Sequence, residues 1–202
     1  MVKMLRYRVT KPRGLAVVLK EPKNSFTDFY VSDASFYEEQ LLACTYDMEV
    51  EGQWCGFISL VNSTLKLDKA ERGIQEVMTR KNIPRMPPAI LLAQLYICSL
   101  ARGRKYGGEA LRWVVDVGLR SPAACRLIVV DLDNEDIRSF YIKHGWITGP
   151  QTSSRMYLDL YLFKEFRSFI RRKYPGVTWT DELKFFADVQ KELSSQGSLF
   201  HA

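Results

Sequence analysis

The sequence predicts a mixed α/β fold, and three observations indicate it. The 202 residues suffice for one well-packed core and are few for two. Hydrophobic residues make up 47% of the chain and charged residues 26%, as in ordinary globular proteins. Short apolar runs with strand character alternate with segments of helical periodicity, and the sequence has no internal repeat. We therefore expect one central sheet with flanking helices.

The first part of the chain is predicted to supply a strand, a short helix and a hairpin. A first strand is expected within MLRYRV, and the segment NSFTDFYVSD is expected to be a loop. Ser35 and Glu38 are spaced as in a capping box, which predicts a short helix that continues to about Cys44. The runs TYDMEV and WCGFISLV, joined by EGQ, predict a β-hairpin.

The middle of the chain is predicted to alternate helix and strand. Asp68 and Glu71 resemble a helix start, and the proline-rich segment KNIPRMPPA ends that helix. A strand from Ala89 to Ile97 leads into a basic loop that contains glycine. Apolar residues at helical spacing then predict a helix that begins at Tyr106.

The last part of the chain is predicted to continue this alternation. RLIVVDL is the next strand, and DNEDIRSFYIKHGW is a short helix that Asp133 or Asn134 caps and Gly145 ends. A late strand, RMYLDLYL, precedes the basic amphipathic helix FKEFRSFIRRKY and a final helix that begins at Thr180.

Composition and charge restrict the location and the partners. No run of 18 apolar residues occurs, and the N-terminal segment lacks the apolar core of a signal peptide, so a cytoplasmic protein without membrane contact is expected. The 4 cysteines are scattered without a CxxC pair, and only 2 histidines are present, which disfavours a metal site. The net charge of +6 favours anionic partners such as RNA or a phosphorylated cofactor.

The segment SLARGRKYGGEA, residues 99–110, carries the clearest functional signal. A helix start exposes unpaired backbone N–H groups, and glycine lets a phosphate approach them closely. Arg102, Arg104 and Lys105 add cations. The segment matches neither GxxxxGK[ST] nor GxGxxG, which disfavours a nucleoside triphosphatase or a Rossmann domain. Two interpretations stay open on this pattern: a diphosphate site, or glycines that only permit close helix packing beside solvated cations.

Two motifs resemble the GNAT N-acetyltransferase superfamily. ARGRKYGGEAL is similar to its acyl-CoA pyrophosphate loop, which reads Gln or Arg, two residues, Gly, any residue, then Gly or Ala. Arg102 and Gly107 match the ends of that pattern, and Lys105 stands at its middle glycine. Downstream, NEDIRSFYIKHGW resembles the family's Asn-to-Tyr helix, which glycine and an aromatic residue close. The resemblance covers roughly residues 45–160.

The resemblance implies a GNAT-type mixed central sheet with splayed parallel strands and a reaction that uses acetyl-CoA. Residues 1–160 would form the acyltransferase domain, and residues 161–202 a C-terminal helical extension packed on it. The strand before the loop would hold pantetheine through its backbone, and the loop would hold the pyrophosphate. The implied cofactor-binding residues are Leu95, Tyr96, Ile97, Arg102, Gly103, Arg104, Lys105, Tyr106, Gly107, Gly108 and Asn134. For Asn134, an ordinary helix cap is the alternative.

The implied reaction is direct attack of an amine on the acetyl thioester. Its tetrahedral intermediate needs an oxyanion donor, and the departing thiolate needs a proton. By resemblance, the backbone amide near Ile97 is the donor and Tyr141 is the catalytic acid. The alternative for Tyr141 is aromatic packing with Phe140 and Trp146.

No motif identifies a general base. The carboxylates Glu51, Asp47 and Asp131 are available, and surface solvation is their expected role. A lysine amine with a pKa near 10.4 is mostly protonated at neutral pH, whereas an α-amine with a pKa near 8 needs less help. An α-amine, or another acceptor of low pKa, is therefore favoured.

A narrower resemblance suggests the acceptor. RKNIPRMPPAILLAQLYI is similar to a segment of the acetyltransferase toxins of bacterial toxin–antitoxin pairs, which acetylate the α-amine of aminoacyl-tRNA. Gln94 and Tyr96 depart from the arginine and the small residue of those toxins. The cations that would contact tRNA are Arg72, Arg80, Lys81, Arg85, Lys164, Arg167, Arg171, Arg172 and Lys173. Solvated helix faces are the alternative for each of them.

Other functions stay open at this level. A small amine or a protein amine could be the acceptor, or the chain could be a non-catalytic module that binds acyl-CoA or RNA. Lys105 in the loop favours such a decayed site, and Tyr141 argues against it. Aromatic residues in the terminal helices allow a homodimer or partner surface, with intramolecular packing as the alternative. They are Phe163, Phe166, Phe169, Phe185 and Phe186.

Overall fold

The computed structural model describes residues 3–6, 13–65, 86–148, 154–178 and 182–189. Strands and helices alternate along them, as the sequence predicts. The chain divides into two compact units. Unit 1 comprises residues 1–62 and 91–113, and unit 2 comprises residues 63–90 and 114–202. The separation of a C-terminal extension at residue 160 stays a prediction.

The strands of unit 1 lie in the order β1 (Lys3–Arg6), β2 (Cys44–Val50), β3 (Gln53–Thr64) and β4 (Pro88–Ile97). β1 pairs with β2, and β2 pairs with β3, both antiparallel. Glu51 and Gly52, with φ of 52° and 79°, form the tight turn between β2 and β3. Two successive positive φ values are typical of the type I′ turn whose twist suits a hairpin. The predicted hairpin is therefore confirmed.

The helices of unit 1 begin earlier than the sequence pattern suggests. α1 (Leu15–Val18), α2 (Ser25–Asp28), a π-helical turn (Phe29–Asp33) and α3 (Ala34–Glu39) precede the hairpin. The prediction of a loop across NSFTDFYVSD is therefore wrong, and so is that of a helix start at Ser35, which lies inside α3.

The true start of this helical segment is a capping box at Asn24. Its Oδ1 accepts hydrogen bonds from the backbone N–H groups of Phe26 and Thr27, both at 3.0 Å. The Thr27 hydroxyl in turn accepts a hydrogen bond from the Asn24 N–H at 2.9 Å. Asparagine and threonine thus take the positions usually held by serine or threonine and by glutamate or glutamine. The standard capping-box pattern therefore does not identify this helix start.

Unit 2 contains the remaining strands. β5 (Leu127–Asp131) pairs antiparallel with β7 (Arg155–Asp159), which pairs antiparallel with the short β6 (Ile147–Thr148). The first residues of β4 also belong to unit 2, where the N–H of Arg126 donates to the carbonyl oxygen of Pro88 at 2.9 Å. The start of β4 therefore lies next to the residue that precedes β5. The sheet is mixed, with one parallel pair.

The long helix after the basic loop is α4 (Tyr106–Arg120), and its start agrees with the prediction. Near its end, a Cβ at Gly118 would lie 2.7 Å from side-chain atoms of both Ile128 and Leu160. Glycine at this position therefore permits the helix to pack closely on β5.

The Asn-to-Tyr segment forms a 3₁₀ turn (Glu135–Ile137) followed by α5 (Arg138–Ile142). The Asn134 side chain accepts a hydrogen bond from the Asp136 N–H at 2.9 Å. Gly145 closes the segment with φ of +82°. Of the two predicted caps, the structure selects Asn134.

The predicted late strand is shorter than RMYLDLYL. β7 ends at Asp159, whose carboxylate accepts hydrogen bonds from the N–H groups of Tyr161 and Leu162 and so caps α6 (Leu160–Lys173). Residues 182–189 form a further helix, α7. The predicted helix from Asp68 and the cations Arg72, Arg80, Lys81 and Arg85 lie outside the described residues.

Two classes of feature are absent from the part of the chain that the structure describes. None of its helices is long and apolar enough to cross a bilayer. Nor does any group of three or more His, Cys, Asp or Glu side chains there have an arrangement that could hold a metal ion.

Candidate active site

The end of β4 is held by a carboxylate from the segment after α1. The phenol of Tyr96 donates to Oε2 of Glu21 at 2.8 Å. Oε1 of Glu21 accepts a hydrogen bond from the Ser99 hydroxyl at 2.7 Å, and the carboxylate also accepts from the Ser99 backbone N–H at 3.1 Å and 3.2 Å. Glu21 therefore links the end of β4 to the start of the basic loop.

These contacts determine the ionisation of both side chains. Burial would raise the pKa of Glu21, but hydrogen bonds from Ser99 and Tyr96 outweigh it, and the pKa lies below its ordinary value of 4.5. Burial, together with the hydrogen bond to Glu21, raises the pKa of Tyr96 to about 12. Glu21 is thus ionised and Tyr96 is neutral across the physiological range.

β3 fixes the other side of the same strand end. The N–H of Cys98 donates to the carbonyl oxygen of Cys55 at 2.9 Å. At Gly56, an added Cβ would lie only 2.0 Å from the carbonyl oxygen of Tyr96. Because only glycine permits this approach, β3 and Glu21 together hold Tyr96 and Ile97 in place.

The basic loop has a defined backbone. After a 3₁₀ turn (Ser99–Ala101), the guanidinium of Arg102 donates from Nε to the Ile97 carbonyl oxygen at 3.2 Å. The carbonyl oxygen of Lys105 accepts hydrogen bonds from the N–H groups of Gly108 at 3.1 Å and Glu109 at 3.4 Å. Lys105 thus lies directly before α4, and its φ is +64°. This left-handed conformation is one that glycine adopts without strain, so Lys105 takes the shape that the glycine of the resembling pattern would give.

The start of α4 has backbone N–H groups without an acceptor in the described residues. Among the described residues, no acceptor receives a hydrogen bond from the N–H groups of Lys105, Tyr106 or Gly107. The side chains of Arg102, Arg104 and Lys105 are exposed around them. Free amides and mobile cations at one helix start are the groups that hold a diphosphate. Unit 1 thus brings together the predicted residues of β4 and those of the loop.

Tyr141 lies in unit 2 with its ring buried and only 5% of the residue exposed. The ring contacts Trp146 edge-on at 5.4 Å and Phe140 at 5.2 Å between centroids. The packing interpretation of Tyr141 is therefore correct for the ring. In the part of the chain that the structure describes, the Tyr141 hydroxyl has no hydrogen-bond partner. Burial, and after it the charge of Asp133, raises the pKa of Tyr141 to about 12.

Asn134 is engaged locally. Besides its capping bond, its amide nitrogen donates to the Asp136 carboxylate at 3.2 Å. The helix-cap interpretation is therefore correct, and a contact of Asn134 with the cofactor stays a prediction.

The three candidate carboxylates have separate roles. Asp47 is 1% exposed and accepts hydrogen bonds from the Tyr30 phenol at 2.6 Å and from Trp54 Nε1 at 2.8 Å, so the expectation that it is solvated is wrong. Burial raises the pKa of Asp47, while these two hydrogen bonds oppose the shift. Asp131 pairs with Arg155 at the surface. Glu51 is exposed in the hairpin turn.

The predicted cations of α6 differ in their surroundings. The carboxylate of Glu182, which is 0% exposed, accepts hydrogen bonds from Nε of Arg167 at 2.9 Å and from Nε of Arg171. These two guanidinium groups hold α7 against α6. Lys164, Arg172 and Lys173 are exposed.

Comparison with known proteins shows a shared fold without sequence similarity. No protein-family model matches the sequence, and no curated protein does either. A solved KacT variant is similar with a TM-score of 0.65 at 15% identity, over 81% of this chain and 98% of that one. AtaT in complex with acetyl-methionyl-tRNAfMet has a TM-score of 0.65 at 14% identity, over 82% and 98%. A structure described as a bacterial toxin has a TM-score of 0.67 at 12% identity, over 88% and 98%. The chain therefore has the fold of KacT and AtaT, a GNAT-type mixed α/β fold.

Proposed function

We propose that the protein is an acetyl-CoA-dependent N-acetyltransferase that acts on the α-amine of aminoacyl-tRNA. One observation carries the proposal: in a GNAT fold, Lys105 adopts the left-handed conformation expected of glycine in the pyrophosphate loop. Two solved structures add support, since AtaT has been described with acetyl-CoA and with acetyl-methionyl-tRNAfMet.

The residues present fit acetyl-CoA. The loop from Arg102 to Gly108 would hold the diphosphate through its backbone N–H groups and its cations. As the resemblance implies, the backbone of Leu95, Tyr96 and Ile97 would hold the pantetheine arm. The Tyr96 side chain is already engaged by Glu21. When bound, acetyl-CoA supplies an acetyl group activated as a thioester.

Tyr141 would serve the leaving thiolate. Its pKa of about 12 keeps the phenol protonated at every pH at which the protein is used. A thiol has a pKa near 8.5, well below that of this phenol, so full proton transfer to the thiolate is unfavourable. The phenol therefore acts chiefly as a hydrogen-bond donor to the developing thiolate. Its hydroxyl is free for that role within the described residues.

The surroundings of the candidate carboxylates in the described residues support this acceptor. Of the three candidate carboxylates, Asp47 is buried under Tyr30 and Trp54, and Asp131 is paired with Arg155. An acceptor that is partly neutral near pH 7 needs no strong base, and the α-amine of an aminoacyl ester is of that kind. Acetylation of a small amine or of a protein amine is the alternative. A homodimer stays a prediction, and a sizing column tests it.

The deciding experiment is acetyl transfer from labelled acetyl-CoA to a pool of charged tRNA, polyamines and peptides, with product identification by mass spectrometry. We expect the label on the amino acid of charged tRNA. Tyr141→Phe should lower kcat by about 10²- to 10³-fold, through loss of one hydrogen-bond donor to the developing charge, and leave the Kd for acetyl-CoA within twofold. If only polyamines or peptides carry the label, the acceptor is a small amine or a protein amine and not aminoacyl-tRNA. Absence of transfer to every member of the pool would contradict the enzymatic proposal.

A further inference from the structure

The C-terminal turns of α6 have two different faces. Phe163 and Ile170 are buried, and Phe163 contacts Phe186 of α7 edge-on at 5.2 Å. Arg167 and Arg171 are committed to the buried Glu182 on the same side. These contacts account for the composition of the inward face without a partner.

The opposite face combines aromatic rings with cations. Phe169 is 52% exposed and Tyr174 is 50% exposed. Nζ of Lys173 lies 5.8 Å from the centroid of the Phe169 ring and 5.5 Å from that of Tyr174. Arg172 is exposed, and its Nε donates to the Ser168 carbonyl oxygen at 3.2 Å. We name Phe169, Arg172, Lys173 and Tyr174 the α6 terminal surface.

Helix stability explains only part of this composition. Cations in a last turn interact favourably with the helix dipole, so Arg172 and Lys173 would stabilise α6 without any partner. The dipole gives no reason for two half-exposed aromatic rings beside them. Among the described residues, no carboxylate forms a salt bridge with Arg172 or Lys173, so neither charge is neutralised by an acidic partner there.

We propose that the α6 terminal surface binds a single-stranded segment of RNA. Bases stack on the rings of Phe169 and Tyr174, and the phosphates contact Arg172 and Lys173. Single-stranded nucleic acid is recognised by this pairing of stacking rings with cations. The identification of this RNA as tRNA rests on the proposed function. Charge complementarity selects an anionic occupant over an apolar protein segment, in a chain with a net charge of +6.

The experiment uses the full chain, with uncharged tRNA and a 12-nucleotide single-stranded RNA as labelled probes, and measures anisotropy at several salt concentrations. Removal of two phosphate contacts in Arg172→Gln/Lys173→Gln should weaken binding about 25-fold near 0.1 M salt and reduce the salt slope by about 1.4. Phe169→Ala/Tyr174→Ala should weaken binding by about fivefold or more per ring and leave the slope unchanged.

Two controls separate a local site from general charge. Lys20→Gln/Lys23→Gln removes the same net charge from exposed positions in unit 1 and should leave affinity within threefold of wild type. Glu165→Gln, at an exposed position one turn before Phe169, removes an opposing charge and should tighten binding. Circular dichroism and thermal unfolding confirm that each variant is folded.

The outcomes divide clearly. Equal losses in the unit 1 control and in the cation variant would overturn the surface, as would unchanged affinity in the aromatic variant. A change of oligomeric state in the α6 variants without a change in RNA affinity would assign the surface to protein contact and also overturn it. Because uncharged tRNA is the probe, failure of acetyl transfer to charged tRNA leaves this binding result intact. Conversely, transfer unaffected by these variants would reject the surface alone.

Discussion

The left-handed conformation of Lys105 makes a quantitative prediction. A side chain at φ of +64° meets the following carbonyl oxygen, which costs an L-residue roughly 1–2 kcal/mol. Glycine avoids this cost but loses roughly 0.4–1 kcal/mol through the greater freedom of its unfolded chain. The difference leaves Lys105→Gly more stable than Lys105→Ala by about 1 kcal/mol. Both variants lack the cation, so the charge effect cancels between them.

Thermal and chemical unfolding measure this difference. For a chain of 202 residues, about 1 kcal/mol corresponds to roughly 2–4 °C in Tm. The second measurement is the Kd for acetyl-CoA of each variant, determined by calorimetry. If the loop has the same backbone before and after binding, the strain is present in both states and does not affect affinity. The two variants should then share one Kd, up to about fivefold weaker than that of wild type through loss of the cation.

Two results would refute this reasoning. A Lys105→Gly variant no more stable than Lys105→Ala would mean that residue 105 is not left-handed in the free protein. A tenfold tighter Kd for the glycine variant than for the alanine variant would mean that the loop adopts this backbone only on binding. In either case the loop would not be preformed.

Three further variants test the surroundings of the loop. Glu21→Gln should lower the free energy of unfolding by about 1 kcal/mol at pH 7, because the ionised carboxylate is the better acceptor. Since the pKa of Glu21 lies below 4.5, this difference in stability from wild type should shrink as the pH falls below that value. Urea unfolding at several pH values measures it. Gly56→Ala should cost about 2–3 kcal/mol and impair acetyl-CoA binding, because its Cβ would meet the Tyr96 carbonyl oxygen at 2.0 Å; a normal Tm would contradict this. Gly107→Glu should abolish acetyl-CoA binding in calorimetry, and an unchanged Kd would count against the loop.

The parts of the fold that follow from the sequence are those encoded locally. The hairpin is encoded by two alternating runs around Glu51 and Gly52, and the structure agrees. β4, the basic loop and α4 are encoded by an apolar run, a glycine-containing segment and a helical periodicity, and they too agree. Asn134 as a cap belongs to the same class, because its partner is two residues away.

The features that the sequence does not reveal depend on distant contacts or on less common residues in familiar roles. Glu21 and Ser99 are 78 positions apart, so no local pattern connects them. Likewise, Arg167 and Arg171 have the periodicity of a solvated basic face, and only the position of Glu182 shows that both are structural. In a chain with a net charge of +6, sequence alone cannot separate such cations from those available to RNA.

The loop also explains how fold similarity persists where sequence similarity does not. A diphosphate site of this type requires free N–H groups and a left-handed residue before the helix, and it does not require a particular side chain there. Strain at Lys105 of roughly 1–2 kcal/mol is small beside the several contacts that a converging set of amides and cations can make. A lysine can therefore replace the glycine while the backbone is retained, and under the proposed function the loop then keeps its capacity to bind. The same tolerance across the chain is consistent with a TM-score of 0.65 at only 15% identity.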